Sequence, residues 1–72
     1  MRKIQSITIV SHQGVSTVSV GDNINGLIVT EIRNDSVEWD DHFDHMYTAV
    51  DENGGYIRDI INCPVDVTYY EV

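Results

Sequence analysis

Hydrophobic and polar side chains alternate along most of this chain, in short runs separated by turn-forming residues. The runs are rich in Val, Ile, Thr and Tyr, which favour strands, and the turns carry Gly, Asn, Asp and Pro. No window of helical length places apolar residues at the i, i+3, i+4 and i+7 positions of an amphipathic helix. The pattern therefore predicts about seven short strands, at residues 3–10, 15–20, 27–33, 36–39, 46–50, 56–61 and 65–70.

The run at residues 27–33 is apolar on both of its faces. Strict alternation places Leu27 and Val29 on one face and Ile28 and Ile32 on the other. A strand with this pattern is normally covered on both sides, as in a small barrel or at a contact between two copies. The run thus predicts either barrel closure or a homodimer contact.

Alternation also predicts which side chains of the other strands face the interior of the domain. In the first strand it groups Gln5 with Ile7 and Ile9 and places Ile4 on the opposite face. In the fourth it turns Val37 and Trp39 inward.

The predicted fold class is all-β, a small barrel or roll of about six to seven short antiparallel strands. The 72 residues form a single domain, 1–72, without a visible linker. Two glycines and a set of apolar positions within residues 18–39 resemble the loop and meander of SH3-like small barrels. The positions that carry this resemblance are Gly21, Asp22, Ile24, Gly26, Val29, Ile32, Val37 and Trp39. The resemblance implies a roughly SH3-like fold and no ligand-binding residues.

Charge is distributed unevenly along the chain. Twelve acidic residues against four basic ones give a net charge of −8, and His is counted as neutral. The net charge is +1 over residues 1–34 and −9 over residues 35–72. This balance argues against direct binding to nucleic acid or to an anionic membrane, and it favours a protein partner with a basic surface.

Cysteine usage suggests the compartment. Cys63 is the single cysteine, so no disulfide framework forms within the chain. No apolar run approaches membrane-span length and no signal peptide is visible, so we expect a cytoplasmic protein. Cys63 precedes Pro64, and we expect it to be a small buried residue beside a rigid turn.

The sequence contains no catalytic constellation. Phosphate-binding glycine loops, paired cysteine motifs and nucleophile motifs are all missing, so we expect neither an enzyme nor a cofactor. His42 and His45 are three residues apart among carboxylates, which makes them weak candidates for a metal site. The more general interpretation is an acidic loop without a metal.

The acidic second part of the chain also contains every aromatic residue. Trp and Tyr are enriched at interface hot spots, and complementary charge accelerates encounter. This part predicts a binding surface built from the acidic face of residues 35–59, and aromatic and acidic residues are densest there around residues 38–47. Its candidate residues are Glu38, Trp39, Asp40, Asp41, Phe43, Asp44 and Tyr47.

In size, charge and composition the chain resembles small acidic accessory proteins of bacteriophages and mobile elements. Some members of that class inhibit host enzymes or defence proteins. The resemblance implies a non-enzymatic acidic binding module, most simply a protein-interaction or inhibitor protein. Two alternatives stay open: a self-associating structural β-module, and a small-ligand or metal binder that uses His42, His45 and nearby acids.

Overall fold

The computed structural model describes all 72 residues and consists of ten strands joined by turns. All pairing is antiparallel, which confirms the all-β prediction. There is no helix, and hence none long and apolar enough to cross a membrane. The strands are β1 (Arg2–Ser11), β2 (Gly14–Ser19), β3 (Asn23–Ile24), β4 (Leu27–Ile28), β5 (Glu31–Asn34), β6 (Val37–Glu38), β7 (Phe43–Asp44), β8 (Met46–Val50), β9 (Tyr56–Ile61) and β10 (Val65–Glu71).

The strands form four small sheets, and no sheet closes on itself. Two sheets have three strands, in the orders β10-β1-β2 and β5-β8-β9. Two others are isolated hairpins, β3-β4 and β6-β7. Of the two shapes predicted, the closed barrel is therefore not formed, and the fold is a small open arrangement of short antiparallel sheets.

A β-bulge in β1 changes which of its residues face the core. The register against β10 shifts between Ile4 and Ser6, so Gln5 has no partner there. Because the extra residue reverses the alternation, Ile4 lies on the same side as Ile7 and Ile9, and all three are buried. The prediction that grouped Gln5 with Ile7 and Ile9 is wrong for this reason.

The predicted strand at residues 27–33 is two separate strands. β4 ends at Ile28 and β5 begins at Glu31, and the break between them lets both Val29 and Ile32 enter the core. Leu27 and Ile28 are exposed instead. A single strand covered on both faces does not exist here, so this pattern no longer supports self-association.

The core is small and lies between the two three-stranded sheets. Only ten of the 72 residues are buried, nine of them apolar. Eight of these form one cluster: Ile4, Ile7, Ile9, Val18, Val29, Ile32, Ala49 and Ile60. Val37, Trp39 and Cys63 are exposed, contrary to their predicted burial, because they lie in the β6-β7 hairpin and the β9-β10 turn outside this cluster.

Candidate functional site

The β6-β7 hairpin is a two-stranded ribbon that pairs with neither three-stranded sheet. Val37 pairs with Asp44 and Glu38 with Phe43. The connecting turn is closed by the Trp39 N–H, which donates to the His42 carbonyl at 2.9 Å. The turn therefore displays Trp39, Asp40, Asp41 and His42 together, and all four are exposed.

Asp44 accepts one hydrogen bond from within the hairpin and one from outside it. Its Oδ2 accepts from the Trp39 indole Nε1 at 2.9 Å, and its Oδ1 accepts from Asn62 Nδ2 at 3.1 Å. His42 Nε2 lies 3.5 Å from the same Oδ2. The bond from Asn62, then that from Trp39, and then the nearby His42 lower the pKa of Asp44 below its ordinary value of 3.8. Asp44 is thus an ionised acceptor that orients the Trp39 ring.

Asn62 connects the hairpin to the β9-β10 turn. Its side-chain Oδ1 accepts from the His45 main-chain N–H at 2.9 Å, and the main-chain N–H of Asn62 donates to the His45 carbonyl at 2.8 Å. Asn62 adopts a left-handed backbone with φ of 51°, which Asn tolerates better than most residues. One side chain therefore supports β7 and the residue that follows it.

The base of the hairpin is tied by a second polar cluster. Ser36 Oγ donates to Asn34 Oδ1 at 2.6 Å and accepts from the Met46 N–H at 3.0 Å. The Asp35 N–H donates to the Met46 carbonyl at 2.9 Å. Both chain segments that enter the hairpin are held where they leave the β5-β8-β9 sheet.

Two large aromatic side chains are presented to solvent on this ribbon. Trp39 is 54% exposed and Phe43 is 47% exposed. The Trp39 and His42 rings stack at 6.0 Å between centroids, and Phe43 meets His45 edge-on at 4.6 Å. Each exposed aromatic therefore has one side supported by a neighbouring imidazole.

Carboxylates surround these rings. Glu38, Asp40 and Asp41 are all exposed on the hairpin. His42 Nδ1 lies 2.6 Å from Asp41 Oδ1, and since a carboxylate only accepts, Nδ1 carries the hydrogen. The tip is acidic and aromatic at once.

Six of the seven predicted binding residues lie on the hairpin. The exception is Tyr47, which lies in β8, is half-buried and packs against the core cluster. His42 and His45 have separate partners, Asp41 and Phe43. No group of three or more His, Cys, Asp or Glu side chains converges in a way that suits a metal ion.

Sequence reasoning does not find the supporting residues Asn62, Asn34 and Ser36. In the sequence, Asn62 belongs only to a break in the strand pattern before Pro64. The one available signal is that Asn tolerates a left-handed backbone at such a turn. The contact of Asn62 with Asp44 spans 18 residues, which no local pattern reveals.

Comparison with known proteins gives no relative for this chain: no family model matches it, and neither a curated protein nor a solved structure is significantly similar. The site must be interpreted from its own chemistry.

Proposed function

We propose that this chain is a non-enzymatic binding module that engages a basic surface of a partner protein through the β6-β7 hairpin. The observation that carries the proposal is the pair of exposed aromatics, Trp39 and Phe43, on a hydrogen-bonded ribbon bordered by carboxylates. Large aromatic side chains are common anchors of protein interfaces. Their exposure here provides apolar area that a partner can bury.

Preorganisation favours this role. The indole of Trp39 is fixed by Asp44, and Asp44 is fixed in turn by Asn62. Ordering a flexible side chain at an interface costs about 0.5–1.5 kcal/mol, and a side chain that is already held avoids much of that cost. The hairpin therefore presents Trp39 in one orientation before any partner arrives.

Charge sets the class of partner. Glu38, Asp40 and Asp41 lie beside the anchors, and the whole chain carries −8. Acidic groups at the edge of an interface accelerate association with a basic surface and repel other acidic proteins. Inhibition of a host enzyme or defence protein is one outcome of such binding, supported by the chain's size and charge.

A comparative capture experiment tests the proposal. The immobilised protein is incubated with lysate of the organism that encodes it, beside the Trp39→Ala/Phe43→Ala double variant. Tyr56→Ala is the matched control, because Tyr56 is 67% exposed and lies on β9 away from the hairpin. We expect a protein with a basic surface that the parent and the control retain, that the double variant loses, and that high salt releases. Equal capture by the double variant would contradict the proposal.

A further inference from the structure

β2 is the outer strand of the β10-β1-β2 sheet, and one of its two edges has no partner strand. Such an edge exposes main-chain N–H and C=O groups that can pair with another chain. Proteins usually protect it with charged side chains, proline or a bulge. β2 has none of these, since its residues, Gly14–Ser19, are uncharged and pair with β1 in an unbroken register.

The other outer strands of the two three-stranded sheets are charged. β5, β9 and β10 each carry two charged residues. In contrast, residues 4–21, which include all of β2 and most of β1, contain no Asp, Glu, Lys or Arg. Two copies of this acidic chain can therefore bring their β2 edges together without opposing like charges.

The pairing with β1 determines which groups of β2 point to the free edge. The Val10 N–H donates to the Pro64 carbonyl beside β10, so Val10 directs its main-chain groups away from β2. Its partner Val15 is thus in a non-hydrogen-bonded pair and directs its own N–H and C=O to the free edge. By alternation, Thr17 does the same.

Asp22 closes this edge at one end. Its N–H donates to the Ser19 carbonyl at 3.1 Å, and its Oδ2 accepts from the Ser19 N–H at 2.9 Å. The edge therefore offers four main-chain groups, the N–H and C=O of Val15 and of Thr17. Both residues are exposed, and Val15 is 70% exposed.

These four groups are self-complementary about Ser16. When two β2 strands lie antiparallel with a two-fold axis at Ser16, Val15 of one copy stands opposite Thr17 of the other on each side of the axis. Each of these two pairs exchanges two hydrogen bonds, so every free group finds a partner. Arg58 contacts this strand only by donating from Nη1 to Ser16 Oγ at 3.5 Å, a side-chain contact that leaves the main-chain edge open.

We propose that this chain forms a homodimer through β2, which joins two three-stranded sheets into one continuous antiparallel sheet. No residue of the β6-β7 hairpin takes part, so the dimer carries two hairpins and is bivalent toward a partner. Because the contact is short, we expect association to be weak. It should strengthen with salt, which screens the repulsion between two chains that each carry −8.

Sedimentation velocity over a concentration series up to millimolar tests the dimer. We expect the mass to rise from monomer to dimer, and to do so at lower concentration in high salt. Thr17→Pro removes an outward N–H that no bond within the domain uses, and the dissociation constant should rise about tenfold or more. Thr17→Val keeps that N–H and should dimerise like the parent. Circular dichroism verifies that both variants fold.

Cysteine crosslinking tests the register, in a Cys63→Ser background. Ser16→Cys places two thiols in a non-hydrogen-bonded pair, whose Cα separation of about 4.5 Å suits a disulfide. Val15→Cys is the control on the same strand, because its two thiols lie on opposite sides of the axis and are too far apart to join. On oxidation we expect a covalent dimer from Ser16→Cys and little from Val15→Cys.

Three results would overturn the proposal. They are a parent protein that stays monomeric at millimolar concentration, a Thr17→Pro variant that dimerises like the parent, and equal crosslinking of the two cysteine variants. A fourth is a Ser16→Cys variant that crosslinks in lysate to another protein and not to itself, which would assign the β2 edge to that protein.

Discussion

At the scale of single residues, Asp44 differs from the other acids of the hairpin. Asp40 and Asp41 are exposed, whereas both oxygens of Asp44 accept hydrogen bonds that shape the ribbon. The lowered pKa of Asp44 means that the folded state favours the ionised form. This contribution to stability is fully present above pH 3.8 and is lost as the pH falls below that value, through the lowered pKa.

Trp39 is the single tryptophan, so its fluorescence can monitor the protonation of Asp44. Trp39 fluorescence should change as the pH falls below 3.8, because protonated Asp44 is a weaker acceptor for the indole. Asp44→Asn should remove that change, and Asp66→Asn, an exposed acid on β10, should preserve it. An acid transition that is identical in all three proteins would show that Asp44 does not orient the ring.

A substitution at Val29 tests which residues form the core. It is 1% exposed, whereas its neighbour Ile28 is 46% exposed. Val29→Asp buries an unpaired charge, which costs several kcal/mol, and a domain of this size has only about 4–11 kcal/mol of stability. We expect Val29→Asp to unfold the domain and Ile28→Asp to leave it folded, as measured by circular dichroism and urea unfolding. Similar midpoints for the two variants would contradict the assigned core.

At the scale of elements, the hairpin depends on Asn62 more than on its own strands. Each of its strands has two residues, and an isolated hairpin is marginally stable in water. The Asn62 side chain bonds Asp44 and the His45 N–H, and both bonds act from outside the hairpin. Removal of this side chain should therefore loosen the ribbon while the sheets stay intact.

Asn62→Gly makes that change and accommodates the left-handed backbone. Hydrogen exchange should become faster at the His45 amide and across residues 37–45, with the β1 amides unaffected. Asn25→Gly is the matched control, since Asn25 also has a left-handed φ, of 53°, and lies in the β3-β4 turn. Unchanged hydrogen exchange at residues 37–45 in Asn62→Gly would show that the hairpin is stable without the Asn62 side chain.

The sequence predicts most strands well and their interruptions poorly. Residues 46–50 and 56–61 match β8 and β9 without adjustment. The bulge at Gln5 and the break after Ile28 are missed, because alternation cannot show where tertiary packing shifts the register. β7 is missed because two residues in a polar segment give no periodicity.

The sequence indicates which types of residue form the candidate site but not the contacts that hold them in place. The density of acids and aromatics points to residues 38–47, although Tyr47 packs against the core cluster. The alternating pattern also places Trp39 in the core, whereas the structure exposes it. The sequence also groups Asp44 with Asp40 and Asp41, since nothing local shows the contact with Asn62.

At the scale of the whole molecule, the net charge of −8 should act on the rate of encounter. Glu38→Gln/Asp40→Asn/Asp41→Asn removes three charges from the hairpin and spares Asp44. The control Glu52→Gln/Asp59→Asn/Asp66→Asn removes three exposed charges elsewhere. Against the captured partner, the hairpin triple should slow association and flatten its salt dependence more than the control, with little effect on dissociation. If both triple variants slowed association equally, the acidic residues of the hairpin would have no special role, and the net charge would serve general steering or solubility.

Site-specific photocrosslinking tests the hairpin most directly, because it works before the partner has been identified. The photoreactive residue benzoylphenylalanine replaces Phe43 in one protein and Tyr56 in another, so each exchange is aromatic for aromatic at an exposed position. After irradiation in lysate, the account predicts a covalent adduct with one basic protein from position 43 and none with that protein from position 56. The same adduct from position 56 and none from position 43 would contradict the assignment of the hairpin as the binding surface.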